Sequence, residues 1–320
     1  LVTRQVKGGE QLQLQDRQGQ WHPLTPIWTS LQSLAPLGNG RGVAVVSSNS
    51  TGKETIRLKR LSPRNLASTH LGLGPPEPGA LETLSEGNLL FGHISSNLNG
   101  DLLVQTGGLK PGSETLELLL ANGDRQTLEP PSSGPMQLLP AGGGLVVPNY
   151  DGISLRPIKD NGQPPQVLPG SRELGAFCAT SGRAVLIRHW PDYRRSIELV
   201  IPGLAPRQLH LGEQAVLAVS CNGSGERIWA VLGIWQGRRS QHELMEFDSE
   251  GTILNRRSLA PWTLSPGTGF EHNPIGNNLL MTLTQPDLKG GRAALMAADT
   301  LQLKQVIDEP IREARWLPAG

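Results

Sequence analysis

A glycine recurs along this chain at a spacing that few folds share. Gly38, Gly100, Gly142, Gly182, Gly225, Gly276 and Gly320 each follow a short apolar stretch, and their separations are 62, 42, 40, 43, 51 and 44 residues. A period of roughly 40–50 residues is that of a four-stranded propeller blade, a unit that cannot cover its own apolar faces and must stack on its neighbours. Around each marker the same order can be read: an inner strand, the glycine turn, a second apolar strand, a longer polar loop, an alternating third strand, a tight turn and a fourth strand. The first interval is long because it carries a Pro- and Gly-rich insertion from Gly72 to Gly79. Seven markers predict seven blades.

The local patterns agree with a chain built of strands. Apolar spacing at i, i+3, i+4 and i+7 is nowhere sustained over three turns, whereas short apolar or alternating runs recur at Val43–Val46, Thr115–Leu120, Leu145–Val147, Ala184–Ile187, Ile228–Leu232 and Leu279–Leu283. Between them sit turn clusters such as Ala121-Asn122-Gly123-Asp124, Asp160-Asn161-Gly162 and Asp248-Ser249-Glu250-Gly251, which supply the positive φ that hairpins demand. The 39 Gly and 26 Pro among 320 residues are many for a helical protein and fit a loop-rich all-β one.

The two ends complement each other. Ala314–Gly320 reads as an inner strand without its blade, and Leu1–Ile27 as a blade without its inner strand. Joined, they complete one unit, and a ring closed by the C-terminal strand leaves no unpaired sheet edge at the seam. The expected organisation is one all-β domain over 1–320, a seven-bladed β-propeller. Its seam blade is 312–320 plus 1–30, and further blades lie near 31–90, 91–135, 136–172, 173–214, 215–265 and 266–311.

The repeat resembles the TolB-like propeller family, whose blades carry a Trp-Ser-Pro-Asp-Gly type motif before a hydrophobic strand. The matching copies are Trp316-Leu317-Pro318-Ala319-Gly320, Leu34-Ala35-Pro36-Leu37-Gly38 and Leu138-Leu139-Pro140-Ala141-Gly142. Asn39-Gly40-Arg41-Gly42-Val43 and Gly225-Glu226-Arg227-Ile228 are similar to the family's Gly-Lys-Arg-Ile continuation. The resemblance covers nearly the whole chain and implies architecture, export to a periplasm-like compartment and a protein-binding role. It assigns no catalytic residue. A cytoplasmic location is the alternative, and the start at Leu1 is compatible with a removed export signal or a trimmed chain.

With 29 basic and 28 acidic side chains, the formal charge of +1 supplies no global field for nucleic acid or an anionic membrane. No run approaches the eighteen apolar residues of a membrane span. No nucleophile elbow, zinc-protease helix, phosphate loop or calcium loop is present, so no catalytic residue, cofactor or metal is expected. The seven histidines show no chelating spacing and read as structural or surface groups, with His272, four before Gly276, packing between sheets. Cys178 and Cys221 also lie four before their marker glycines, in adjacent blades. Equivalent positions point in the same rotational sense, so one thiol faces the next sheet while the other turns away, and free buried thiols are expected rather than a disulfide.

Strand order places the loops after second and fourth strands on one face. Those after second strands are repeatedly basic: Lys7-Gly8-Gly9, Thr51-Gly52-Lys53, Leu109-Lys110-Pro111, His189–Arg195, Trp235–Arg239 and Leu288–Arg292, with Asn149-Tyr150-Asp151-Gly152 the exception. Trp190, Tyr193, Arg194 and Arg195 of one blade, beside Trp235, Arg238 and Arg239 of the next, would form a patch of the composition found in interface hot spots. The plainer reading has the Trp rings covering blade edges while Arg heads reach into water. The expected function is a non-enzymatic scaffold, monomeric or part of a hetero-complex, that holds an acidic protein or peptide. The alternatives are a hydrolase or lyase with its site at the axial channel, and a carbohydrate-binding module using Trp190 and Trp235 as platforms.

Overall fold

The computed structural model describes residues 1–15, 19–38, 42–49, 51–60, 81–108, 110, 112–130, 134–139, 144–158, 164–236, 239–273 and 276–317. Among them twenty-eight strands form antiparallel sheets. The first blade holds β1 (Val2–Val6), β2 (Gly9–Gln15) and β3 (Trp21–Pro23). The second holds β4 (Ser30–Leu37), β5 (Gly42–Ser48), β6 (Glu54–Arg60) and the first half of β7 (Leu81–Ser96). The second half of β7 opens the third blade, followed by β8 (Leu102–Gly108), β9 (Thr115–Leu119) and β10 (Arg125–Leu128). The fourth comprises β11 (Gln137–Leu138), β12 (Gly144–Asn149), β13 (Gly152–Pro157) and β14 (Gln166–Pro169). The fifth comprises β15 (Arg172–Cys178), β16 (Arg183–His189), β17 (Arg195–Val200) and β18 (Arg207–Gly212). The sixth comprises β19 (Ala215–Cys221), β20 (Arg227–Gln236), β21 (Arg239–Asp248) and β22 (Ile253–Ser258). In the seventh, β23 (Thr263–Leu264) and β24 (Phe270–Asn273) share the inner position against β25 (Asn278–Thr284), with β26 (Arg292–Ala297) and β27 (Leu303–Val306) outside. The last strand, β28 (Ile311–Ala314), stands next to β1 in the order β28-β1-β2-β3.

The fold is therefore a seven-bladed β-propeller whose C-terminal strand enters the N-terminal blade. The closing strand is Ile311–Ala314 and not the stretch from Ala314 onward. It starts directly after Pro310, where Ile311 exchanges backbone hydrogen bonds with Gly291, and strand pairing ends before Arg315. Pro318 to Gly320 lie outside the described residues, as do Gly142, Asp160-Asn161-Gly162 and the Gly72–Gly79 insertion.

Two compact units contain these blades: Leu1–Val147 with Pro157–Asn161 and Trp316–Gly320, and Pro148–Arg156 with Gly162–Arg315. In each, the core lies between neighbouring sheets. In the first unit Ala44, Val46, Ile56 and Leu58 of the second blade pack on Ile94, Leu102 and Val104 of the third. In the second, Ile187, Ile197 and Leu199 meet Val219, Ala230 and Phe247, and Trp229, Val231 and Leu244 meet Leu279, Met281 and Met296. The second strands, such as Gly42–Ser48 and Arg183–His189, are buried on both faces at their middle and so read as unbroken hydrophobic runs, and burying each such side chain contributes about 1.5–3 kcal/mol.

Polar side chains stitch the blades where sheet pairing stops. Glu10 accepts the backbone N–H of Leu31, Gln105 that of Met136, Ser95 that of Leu138, and Ser220 that of His272. Each satisfies a backbone N–H in or directly before the inner strand of the next blade. The marker glycines serve two purposes. Gly100, Gly182 and Gly225 adopt positive φ in their turns, as expected. Gly38 does not; its N–H donates to Asn97, and a side chain on it would strike the Leu98 carbonyl of the next blade's turn. Asn97 and Asn222 accept two backbone N–H groups each within these turns, which explains Asn at their start.

Cys178 and Cys221 form a disulfide, with Cα atoms 5.7 Å apart, contrary to the expectation of free thiols. The rotational argument holds for side chains in mid-sheet, but both residues end their strands. There Thr180 and Ser181 both donate their N–H to the carbonyl of Gly223, drawing the two turns together and the strand ends into bridging range.

Candidate functional site

In the second unit the turn after β16 is built to project one side chain. Trp190 N–H donates to Arg194 O and Tyr193 N–H to Trp190 O, closing a tight loop, while Asp192 accepts the Arg194 backbone N–H and pairs with its Nε at 2.7 Å. Arg195 folds back onto the carbonyls of Tyr193 and Arg194. At the tip stands Tyr193, 84% exposed and with φ of +67°. Corresponding turns elsewhere put glycine in that region, at Gly8, Gly52 and Gly290. A bulky side chain in the left-handed region costs roughly 1–2 kcal/mol.

Trp190 is half-buried and held at its edge and on one ring face. Its indole N–H donates to Ser196 at 3.0 Å, and the Arg188 guanidinium lies over its ring at 3.6 Å. Ser196 in turn donates to buried Glu198 at 3.4 Å, and Arg172 Nε reaches Glu198 at 2.7 Å. Beneath the exposed loop therefore runs a buried polar chain that fixes the ring. The second half of the sequence-predicted patch is only partly on view. Trp235 and Arg239 belong to β20 and β21, which pair as far as Gln236 opposite Arg239, while their side chains and all of Gly237 and Arg238 lie outside the described residues.

Tyr150 completes the face in a way the charge pattern hid. It sits at the tip of the turn between β12 and β13, the position equivalent to Tyr193 one blade earlier, and is also 84% exposed. The chain has two tyrosines, and both occupy this place. The signal was present in the Asn149-Tyr150-Asp151-Gly152 turn, which departs from the basic series by being aromatic.

On the opposite turns of the second unit, a cleft of about 100 Å³ is lined by Asn222, Arg227, Trp229, Glu246, His272, Asn277, Ala298 and Asp299. His272 stacks on Trp229 with ring centroids 4.7 Å apart, so it packs between sheets as the sequence implied. Burial holds its imidazole below the ordinary range. Glu246 is fully buried and committed to Arg227 Nε at 2.7 Å and Asn255 at 2.6 Å. The ion pair of this small space, Arg227 with Glu246, is made within the sixth blade. Among the described residues no group of three or more His, Cys, Asp or Glu gathers to hold a metal, and no helix is long and apolar enough to cross a membrane.

No protein-family model matches the chain, and the search of curated proteins found no match. Solved structures are similar in fold. TolB from Acinetobacter baumannii is 15% identical, with a TM-score of 0.50 over 97% of this chain and 64% of that one. A putative 6-phosphogluconolactonase from Bacteroides fragilis is 15% identical, with a TM-score of 0.56 over 98% and 96%. The β-propeller domain of the Trilobed protease from Pyrococcus furiosus is 11% identical, with a TM-score of 0.57 over 91% and 83%. The chain thus spans just under two thirds of TolB's length, and the TolB-like resemblance read from the repeats holds for architecture. Likeness at such identities speaks for the fold alone.

Proposed function

We propose that this protein is a non-enzymatic scaffold that holds an acidic protein or peptide segment on the turns after its second strands. The observation that carries the reading is Tyr193: an aromatic side chain held by the turn's backbone hydrogen bonds in a left-handed conformation, with its ring almost wholly in water. Strain held at an exposed residue points to use elsewhere. Trp190, Arg194 and Arg195 surround it, a combination of flat aromatic area and guanidinium groups suited to anchoring a partner. The disulfide supports a life in an oxidising compartment, consistent with export to a periplasm-like space, because such bonds persist there and are rare in the cytosol.

The test is selection of short random peptides displayed against the full-length chain, followed by binding to the double variant Arg194→Glu, Arg195→Glu. Acidic sequences are expected to be enriched and to lose about tenfold or more in affinity against the variant, since rim charges contribute modestly and anchors more. Undiminished binding by a variant with an unchanged circular dichroism spectrum would rule this face out.

A further inference from the structure

The chain has two tyrosines, and the fold sets them on the tips of neighbouring blades. Tyr150 stands in the turn between β12 and β13, Tyr193 in the turn between β16 and β17, and each is 84% exposed. Both turns are braced at their base. Asn149 Nδ2 donates to Ser154 Oγ at 2.7 Å beneath Tyr150, and Trp190 N–H donates to Arg194 O at 3.0 Å beneath Tyr193. A two-residue bridge ties one turn to the other: Gly170 N–H donates to Asp151 O at 2.5 Å, and His189 N–H donates to Ser171 O at 2.9 Å. Two residues span at most about 7 Å, so Asp151 O and His189 N, at the feet of the two turns, lie within about 12 Å of each other.

The surroundings of the rings narrow what they can hold. Strands β12 and β13 have neighbours on both sides in the order β11-β12-β13-β14, as do β16 and β17 in β15-β16-β17-β18. Turns between such strands offer no free edge to which a partner could add a strand. The residues beside the rings in their turns are Asn149, Asp151, Asp192 and Arg194, polar groups that form no apolar wall for a helix. A polyproline II segment needs neither edge nor wall. It makes no internal hydrogen bonds, so its carbonyls are free to accept from tyrosine hydroxyls, and its prolines meet aromatic rings at little cost in conformational entropy. Three residues per turn and a rise of about 3.1 Å bring residues i and i+3 to one side of such a chain, about 9 Å apart. That length fits the spacing the bridge allows between the two turns.

We infer that Tyr150 and Tyr193 together hold a polyproline II stretch of the partner, with prolines three residues apart placed one on each ring. The inference rests on the peptide-binding reading above and gives the bound segment a conformation and a place: it crosses the fourth and fifth blades, where the sequence pointed to the fifth and sixth.

The experiment takes acidic peptides selected from a random library against the full-length chain and measures their affinity by titration calorimetry. Prolines three residues apart are expected to be enriched, and replacing either by alanine should weaken binding about tenfold. Tyr150→Ala and Tyr193→Ala should each cost as much with the parent peptide, and much less with the peptide that already lacks the proline facing that ring. A general loss of surface would not produce this non-additivity. Tyr150→Phe and Tyr193→Phe keep the ring and should cost about fivefold or less, the share of one hydrogen bond. If the selected acidic peptides lack the proline pair, or bind Tyr150→Ala as tightly as the parent, while the Arg194→Glu, Arg195→Glu variant weakens them, the scaffold reading stands and this inference is overturned. If no acidic peptide is retained, both fall.

Discussion

Replacing Tyr193 with glycine should make the protein more stable while removing the proposed binding anchor. The left-handed backbone at φ of +67° costs a tyrosine roughly 1–2 kcal/mol that glycine does not bear. Glycine's extra freedom in the unfolded chain takes back about 0.4–1 kcal/mol. The ring is 84% exposed, so its loss uncovers little apolar surface. The net expectation is a gain of about 0.5–1 kcal/mol. Tyr193→Ala removes the same ring and keeps the strained backbone, so it should fall within about 0.5 kcal/mol of the parent. Urea unfolding followed by far-ultraviolet circular dichroism reads the difference as a higher midpoint for the glycine variant at an unchanged slope. Both variants should lose affinity for selected acidic peptides. A glycine variant less stable than the parent by about 1 kcal/mol would refute the reasoning, because the ring would then have to support the fold and its exposure would not be a sign of function.

Three further outcomes follow from the packing. Reducing the Cys178–Cys221 bond, whose partners are 43 residues apart, should lower stability by up to about 4 kcal/mol through the freed entropy of that loop, visible as a lower melting temperature in dithiothreitol, and denatured unreduced protein should show no free thiol. Gly38→Ala should destabilise by about 3 kcal/mol, since its methyl group meets the Leu98 carbonyl; an unchanged urea midpoint would mean that the two turns do not touch. Stability should also decline as pH is lowered from 7 toward 5. Burial depresses the pKa of His242, whose Nδ1 accepts the Leu264 N–H at 2.7 Å, so the folded state holds it neutral while the unfolded chain takes up a proton. That contribution is present above the unfolded histidine value near 6.5 and is lost as pH falls through the depressed folded one. His242→Gln should flatten the slope, measured by urea midpoints across this window; an equal slope would assign the dependence to other groups.

What could be read from the sequence alone was whatever depends on neighbours along the chain. Side chains alternate with period two on a strand, and a turn that needs positive φ selects glycine or asparagine, so strands such as Ile228–Leu232 and turns at Gly100, Gly182 and Gly225 announce themselves locally. Their repetition at blade length then determined the propeller and its completion by the C-terminal strand. The proposed interaction face was legible in part, through the basic and aromatic turn at His189–Arg195.

Only the tertiary structure decided what happens between blades. That Cys178 reaches Cys221 depends on turn-to-turn hydrogen bonds from Thr180 and Ser181 to Gly223. That Arg172 and Arg188 converge over Gly170 depends on strand register and on the path of the linker between the fourth and fifth sheets. That Tyr150 and Tyr193 are bare aromatic tips among the described residues, while Trp190 is pinned under Arg188, depends on which side chains the neighbouring sheet leaves uncovered. Each is a distance between residues far apart in sequence, set by how twisted sheets stack, and a local pattern of residue types does not encode that angle.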